Sequence, residues 1–149
     1  MLRVKINIDP EAILIAHGLN DGGAAQRFFT EDVNKRITKY MPYRSGALSS
    51  KLKRVTSPSE ITISAPYARY QYYGKVMIDP AINAAGFLTK DETWRSRKGA
   101  VKVLTARDLK YDTTKNAQAG PFWDRRLMAA EGKAILADLK EFIRSRDSK

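Results

Sequence analysis

Cysteine is absent from this chain, and histidine occurs once, at His17. The first absence removes disulfide frameworks, zinc ribbons, thiol nucleophiles and iron–sulfur centres together. The second removes any His-based metal triad, so a His-dependent catalyst would have to use His17. Long apolar runs are missing too. No stretch approaches the ~20 residues that span a bilayer, and the N-terminus lacks the apolar core of a signal peptide. A soluble protein made in a cytoplasm, with no membrane partner, is the expectation. Acid is the minority charge: 16 Asp and Glu stand against 27 Lys and Arg, a net +11. Such a surplus calls for an acidic partner, either nucleic acid or an acidic protein surface. It is not the work of a basic tail. Residues 1–74 carry 11 basic and 6 acidic side chains, and residues 75–149 carry 16 and 10.

What is present suffices for a packed domain. With 149 residues and 43% hydrophobic content, the chain reads as one domain, 1–149, that needs neither a metal nor a disulfide. Leu2, Val4, Ile6 and Ile8 alternate with polar residues, which predicts a strand. Asp9-Pro10-Glu11 then starts a short helix that stops near Gly18. Asn20 or Asp21 caps a longer amphipathic helix to about residue 41, with Phe29, Val33, Ile37 and Tyr40 on its apolar side. Pro42 ends it, since the residue before a proline avoids the α region. Ser45-Gly46-Ala47-Leu48 reads as a turn or one helical turn. Leu52 and Val55, then Ile61, Ile63 and Ala65, form a β-hairpin around residues 57–60.

Four tyrosines follow within eight residues, and Tyr67, Tyr70 and Tyr73 share a helical spacing that Pro66 opens and Gly74 closes. Residues 75–118 read as an elaborated β-hairpin with long arms, its strands near Val76 and Ile78 and near Val101, Val103 and Leu104. Pro121 opens a last helix over 121–145, with Met128, Ile135, Leu139, Phe142 and Ile143 as its apolar stripe. The class is α+β: a small, mainly antiparallel sheet backed by two long helices, with an extended arm.

No catalytic, cofactor-binding or metal constellation emerges. His17 sits at a helix end with no partner that the sequence can place, and reads as a residue interacting with the helix dipole. Gly22-Gly23 lacks both the P-loop lysine and the dinucleotide spacing, so it reads as helix entry. Carboxylates such as Asp79, Asp91, Asp108, Asp112 and Asp124 are scattered without a paired spacing. Residues 90–115 carry eight basic and four acidic side chains, with Trp94 and Tyr111 interleaved. Arg95, Arg97, Lys98, Lys102 and Arg107 are the candidate contacts there, to a nucleic-acid backbone or to a neighbouring subunit. Aromatics concentrate energy in cores and interfaces alike. Tyr67, Tyr70, Tyr73, Phe122 and Trp123 are therefore candidates for either.

The order of the segments adds a resemblance. Pro42, Ser45, Gly46 and Leu48 form a P-x-x-[ST]-G-x-L turn after a helix; Ala65, Pro66, Tyr67, Ala68 and Gly74 follow a hairpin; and Pro121-Phe122 heads the last helix. This succession resembles the minor capsid, or neck and tail-completion, proteins of tailed bacteriophages. The resemblance covers roughly residues 20–74 and 119–145. Residues 75–118 depart from it, being longer and more basic than the short hairpin expected. It implies a structural, non-enzymatic virion protein without cofactors, made in the host cytoplasm and placed at the head–tail junction. It also implies a homo-oligomeric ring, a hexamer or dodecamer, set between connector or head-completion proteins and the tail tube or tail terminator. Transient contact with phage DNA is a further implication. The alternatives are a tail terminator, a monomeric basic nucleic-acid-binding protein, and a small basic nuclease or toxin.

Overall fold

The computed structural model describes Ile15 and residues 17–147. The strand expected at residues 2–8 and most of the short helix after it lie outside the described residues. Helix α1 (Ala24–Ile37) begins later than expected. Its N-cap is Gly23 rather than Asn20 or Asp21, because the Gly23 N–H is already held in a turn by the Asn20 carbonyl at 2.9 Å. The helix tightens to a single 3₁₀ turn over Thr38–Tyr40, and Met41 is extended at ψ 145°. That is the conformation Pro42 imposes on the residue before it. Gly46 then turns the chain at φ +77°, a region costly for any residue with a Cβ, and a π-turn over Ala47–Lys51 returns Leu48 to the core.

Strands β1 (Lys53–Ser57) and β2 (Glu60–Ile63) form the expected hairpin, with Val55 opposite Ile61. Helix α2 (Ala68–Tyr73) follows and ends at Gly74. Strand β3 (Lys75–Ile78) pairs antiparallel with β6 (Val103–Asp108), and between them β4 (Phe87–Leu88) pairs with β5 (Trp94–Arg95). The elaborated hairpin is therefore present, over residues 75–108. Residues 109–118 instead run back along the body. There the Leu109 N–H donates to the Gly74 carbonyl, the Tyr111 hydroxyl to that of Gln71, and the Asn116 amide to those of Thr38 and Met41.

The class is α+β, but the expected small sheet is divided. Among the described residues there are three separate two-stranded antiparallel ladders. The strands are two to six residues long, each hairpin closes on itself, and α2 separates β2 from β3.

Helix α3 (Trp123–Asp147) is the longest element, at 25 residues. Pro121 does not start it. The Phe122 N–H is held by the Tyr72 carbonyl at 2.8 Å, which fixes Phe122 at φ +50° and lets its own carbonyl accept the first helical bond from Arg126. The buried seam of α3 runs through Trp123, Leu127 and Ile135, packing on Ile37, Tyr40, Met41 and Leu48. Met128, expected in that stripe, is exposed and Leu127 takes its place, because the seam steps by four from a buried Trp123. Phe142 does face inward, stacking on Phe28 with centroids 4.4 Å apart.

A polar network clamps α1 to α3. The Arg36 guanidinium donates to Asp32 and Glu131, both at 2.8 Å, and to Asp138. Glu131 also accepts from Lys39 at 2.5 Å and from the buried Tyr40 hydroxyl at 2.6 Å. His17 meets Asp147 at the far end of α3, 2.6 Å away.

Gly74 is where the arm leaves the body. Its φ is +67°, and a Cβ there would sit 2.9 Å from the Pro121 Cβ. Gly74→Ala should combine backbone strain with that clash and cost about 1–2 kcal/mol in equilibrium urea unfolding.

Candidate assembly surface

The tyrosine helix α2 presents two faces, each bordering a concave surface. Tyr67, Tyr70 and Gln71 line a cleft of about 830 Å³, closed on its other sides by the 42–48 turn, Trp94 and the 110–112 segment. Ala68, Arg69, Tyr72 and Tyr73 line a groove of about 520 Å³ on the other face, floored by Val33, Ile37, Ile61 and Ile63. The motif residues Pro42, Ser45, Gly46 and Leu48 therefore line the first cleft, while Pro66, Gly74 and Pro121 shape the entry and exit of the tyrosine segment. Burial pushes the Tyr70 and Tyr111 hydroxyls upward, so both phenols stay protonated. Arg44 and Lys110 supply cations there against Asp112, and Lys115 stands 5.3 Å over the Tyr43 ring.

The structure brings together only some of the expected site residues. Tyr67 packs partly into the core, Tyr70 faces the first cleft, and Tyr73 is exposed beside the second. Trp123 is only 4% exposed and lies in the core of its own chain, reaching the surface only as part of the lining of the second groove. Phe122 is partly covered by edge-on contacts to Tyr72 and Tyr73 at 5.3 and 6.0 Å, with the Arg125 guanidinium over its ring.

The residue missed by sequence reasoning is Tyr72. Its ring meets Tyr73, Phe122 and Trp123 edge-on, and its hydroxyl donates to Asp124 at 2.9 Å. Helical spacing from Tyr67 left Tyr72 off the chosen face. The signal available was its place among the aromatics that precede Gly74.

The basic arm is less free than its sequence suggests. Arg97 donates twice to Asp79, at 2.9 and 3.1 Å, and Asp79 is 1% exposed. This bidentate bond holds the Asp79 carboxyl below the usual carboxylate range. Lys102 donates to the Ala85 carbonyl and the Ser96 hydroxyl, both at 2.6 Å. Arg97 and Lys102 therefore brace the arm internally. Arg95 lies 3.7 Å from Asp91, while Lys98 and Arg107 are exposed and have no side-chain partner among the described residues.

Among the described residues no group of acidic or His side chains is arranged to hold a metal, and no helix is long and apolar enough to cross a membrane. No curated protein and no solved structure matches the chain. The family model described as minor capsid protein matches residues 15–103. That match includes the turn, the hairpin and the tyrosine helix, and it continues through most of the arm, the segment expected to depart. It does not extend to residues 119–145. Spanning more than half of the sequence, it shows that the chain belongs to the minor capsid protein family, a structural protein of the bacteriophage virion.

Proposed function

We propose that this virion protein is a neck or tail-completion component, one copy of several in a ring of the stack that joins head to tail. The observation that carries the reading is the arm. Several of its large apolar side chains are exposed among the described residues: Trp94 is 63% exposed and Val101 80%, and Phe87, Leu88, Val103 and Leu104 are exposed as well. Exposed large apolar side chains gathered on one segment favour a contact with another protein. The buried hydrophobic core of the body includes no residue of the arm.

In a ring, each arm lies against a neighbouring subunit, and the basic surplus faces acidic partners in the adjacent connector and tail-tube rings. A surface that held DNA tightly would obstruct its passage. That weighs toward protein contacts, with Lys98 and Arg107 as the arm's available cations.

The test is a phage in which this protein is not made. Filled heads and complete tails should accumulate unjoined, and a tagged copy supplied in trans should restore infectious particles and label the junction in electron micrographs. Joined but uninfective particles, or a label on the capsid faces, would overturn the neck assignment.

A further inference from the structure

A buried cation and an unpaired carboxylate of this chain match each other, and they lie on different surfaces. Lys53 is 7% exposed, and its ammonium donates to the Asn34 carbonyl and to the Thr38 hydroxyl at 2.7 Å, which leaves one of its three donors unused. It lines the groove beside Ile61, Ile63 and Tyr73, and no carboxylate of the described residues pairs with it. The other charges facing that groove are Arg69 and Asp124, and Asp124 already accepts from Tyr72. Buried Asp79 and the largely buried Glu131 each have a cation; Lys53 stands apart. A buried charge without its counter-charge is expensive for a fold to keep.

The arm tip has the complement. Residues 88–94 carry Lys90 against Asp91 and Glu92, an acidic end on a basic arm. The tip is closed by the Glu92 N–H to the Thr89 carbonyl and the Thr89 N–H to that of Thr93. Glu92 sits there at φ +57°, where Gly or Asn would be at ease, and its carboxylate has no partner among the described residues. Exposed Leu88 and Trp94 flank it. Trp94 lines the first cleft, on the opposite face of α2 from the groove, so tip and groove of one copy look different ways.

We propose that the arm tip of one copy seats in the groove of the next, with Glu92 against Lys53 and Leu88 on the apolar floor formed by Ile61 and Ile63. The charges are complementary, acidic tip to cationic groove, and the apolar surface that each leaves open covers the other. Because tip and groove are different patches, the contact is head-to-tail and propagates around a ring. This rests on the ring reading above and names the contact that closes it.

The experiment uses the full chain, whose lack of cysteine makes introduced thiols unambiguous. Arg69→Cys protein and Lys90→Cys protein, both of which keep Glu92 and Lys53, are mixed and treated with a short bis-maleimide linker, and assembly is followed by light scattering. A cross-linked pair is expected from the mixture and from neither variant alone. Glu92→Lys should raise the concentration for half-assembly about tenfold or more. Lys53→Met, which keeps the groove apolar and the fold intact, should do so by a similar factor, and the double variant should be no worse than either. Native-sized multimers with no cross-link and no effect of Glu92→Lys would overturn this contact and leave the ring standing. A chain that stays monomeric and uncross-linked at every concentration would also overturn it, while the phage experiment still decides the neck assignment.

Discussion

Glu131→Ala is expected to lower the unfolding free energy by about 3 kcal/mol at neutral pH, measured by equilibrium urea denaturation. The carboxylate accepts from Lys39, Tyr40 and Arg36 together, and these bonds hold its pKa down at about 2. Lys39 and Arg36 keep part of their surface in water, so the charge pairing is discounted to about 2 kcal/mol. Removing the carboxylate also strands the Tyr40 hydroxyl, which is buried and has Glu131 as its hydrogen-bond acceptor, at about a further 1 kcal/mol. Glu131→Gln should lose less, because its amide oxygen still accepts from Tyr40.

The pH dependence follows from the direction of the shift. A carboxylate whose folded pKa lies below its ordinary 4.5 contributes its stabilisation in full above about pH 4.5 and loses it as pH falls toward 2. The stability gap between the native chain and Glu131→Gln should therefore close across that window. A gap of constant size down to pH 2 would mean that Glu131 acts by packing and not by charge.

The network that makes this prediction was invisible in the sequence, although its members were not. Glu131 and Asp138 lie outside the apolar stripe expected of the last helix, and Arg36 lies outside the apolar side of the first. What hid the clamp is the register between two helices nearly a hundred residues apart, which no local period encodes. The same limit explains Met128. An apolar stripe at helical spacing can be drawn through Met128 or through Leu127, and the buried Trp123 at the helix entry selects Leu127. Local chemistry was legible where one residue dictates the backbone. Pro42 ended its helix, Gly46 and Gly74 took left-handed turns, and Val55 and Ile61 met across the hairpin.

The arm was legible as a hairpin but not as a braced one. The Arg97–Asp79 pair that pins it joins residues 18 positions apart within a segment that shows no periodicity. Its basic residues looked like one undivided patch, and two of them turn out to hold the arm's own shape.

Lys53→Met is expected to stabilise the isolated chain by about 2–3 kcal/mol at pH 7, in the opposite direction to almost every other core substitution. Burial pushes the Lys53 amine down from 10.5 to about 8, and no carboxylate among the described residues offsets it. At about 1.4 kcal/mol per pH unit, the difference corresponds to roughly 3 kcal/mol of stability withheld while the amine is charged in both states. Below pH 8 the folded and unfolded chains both hold that proton, and the cost is present in full. Between about 8 and 10.5 only the unfolded chain holds it, so stability of the native chain rises with pH through that window. Above 10.5 both are neutral and the cost is gone. Met fills the same volume without a charge to desolvate, so the variant should gain most below pH 8 and show no rise between 8 and 10.5. A variant less stable than the native chain at pH 7 would mean that the bonds to Asn34 and Thr38 outweigh the desolvation. If the gain is found together with weaker assembly, the cost of Lys53 belongs to the free subunit alone. A carboxylate from the neighbour would then remove it when the ring closes, making a less stable monomer the condition for a tighter joint.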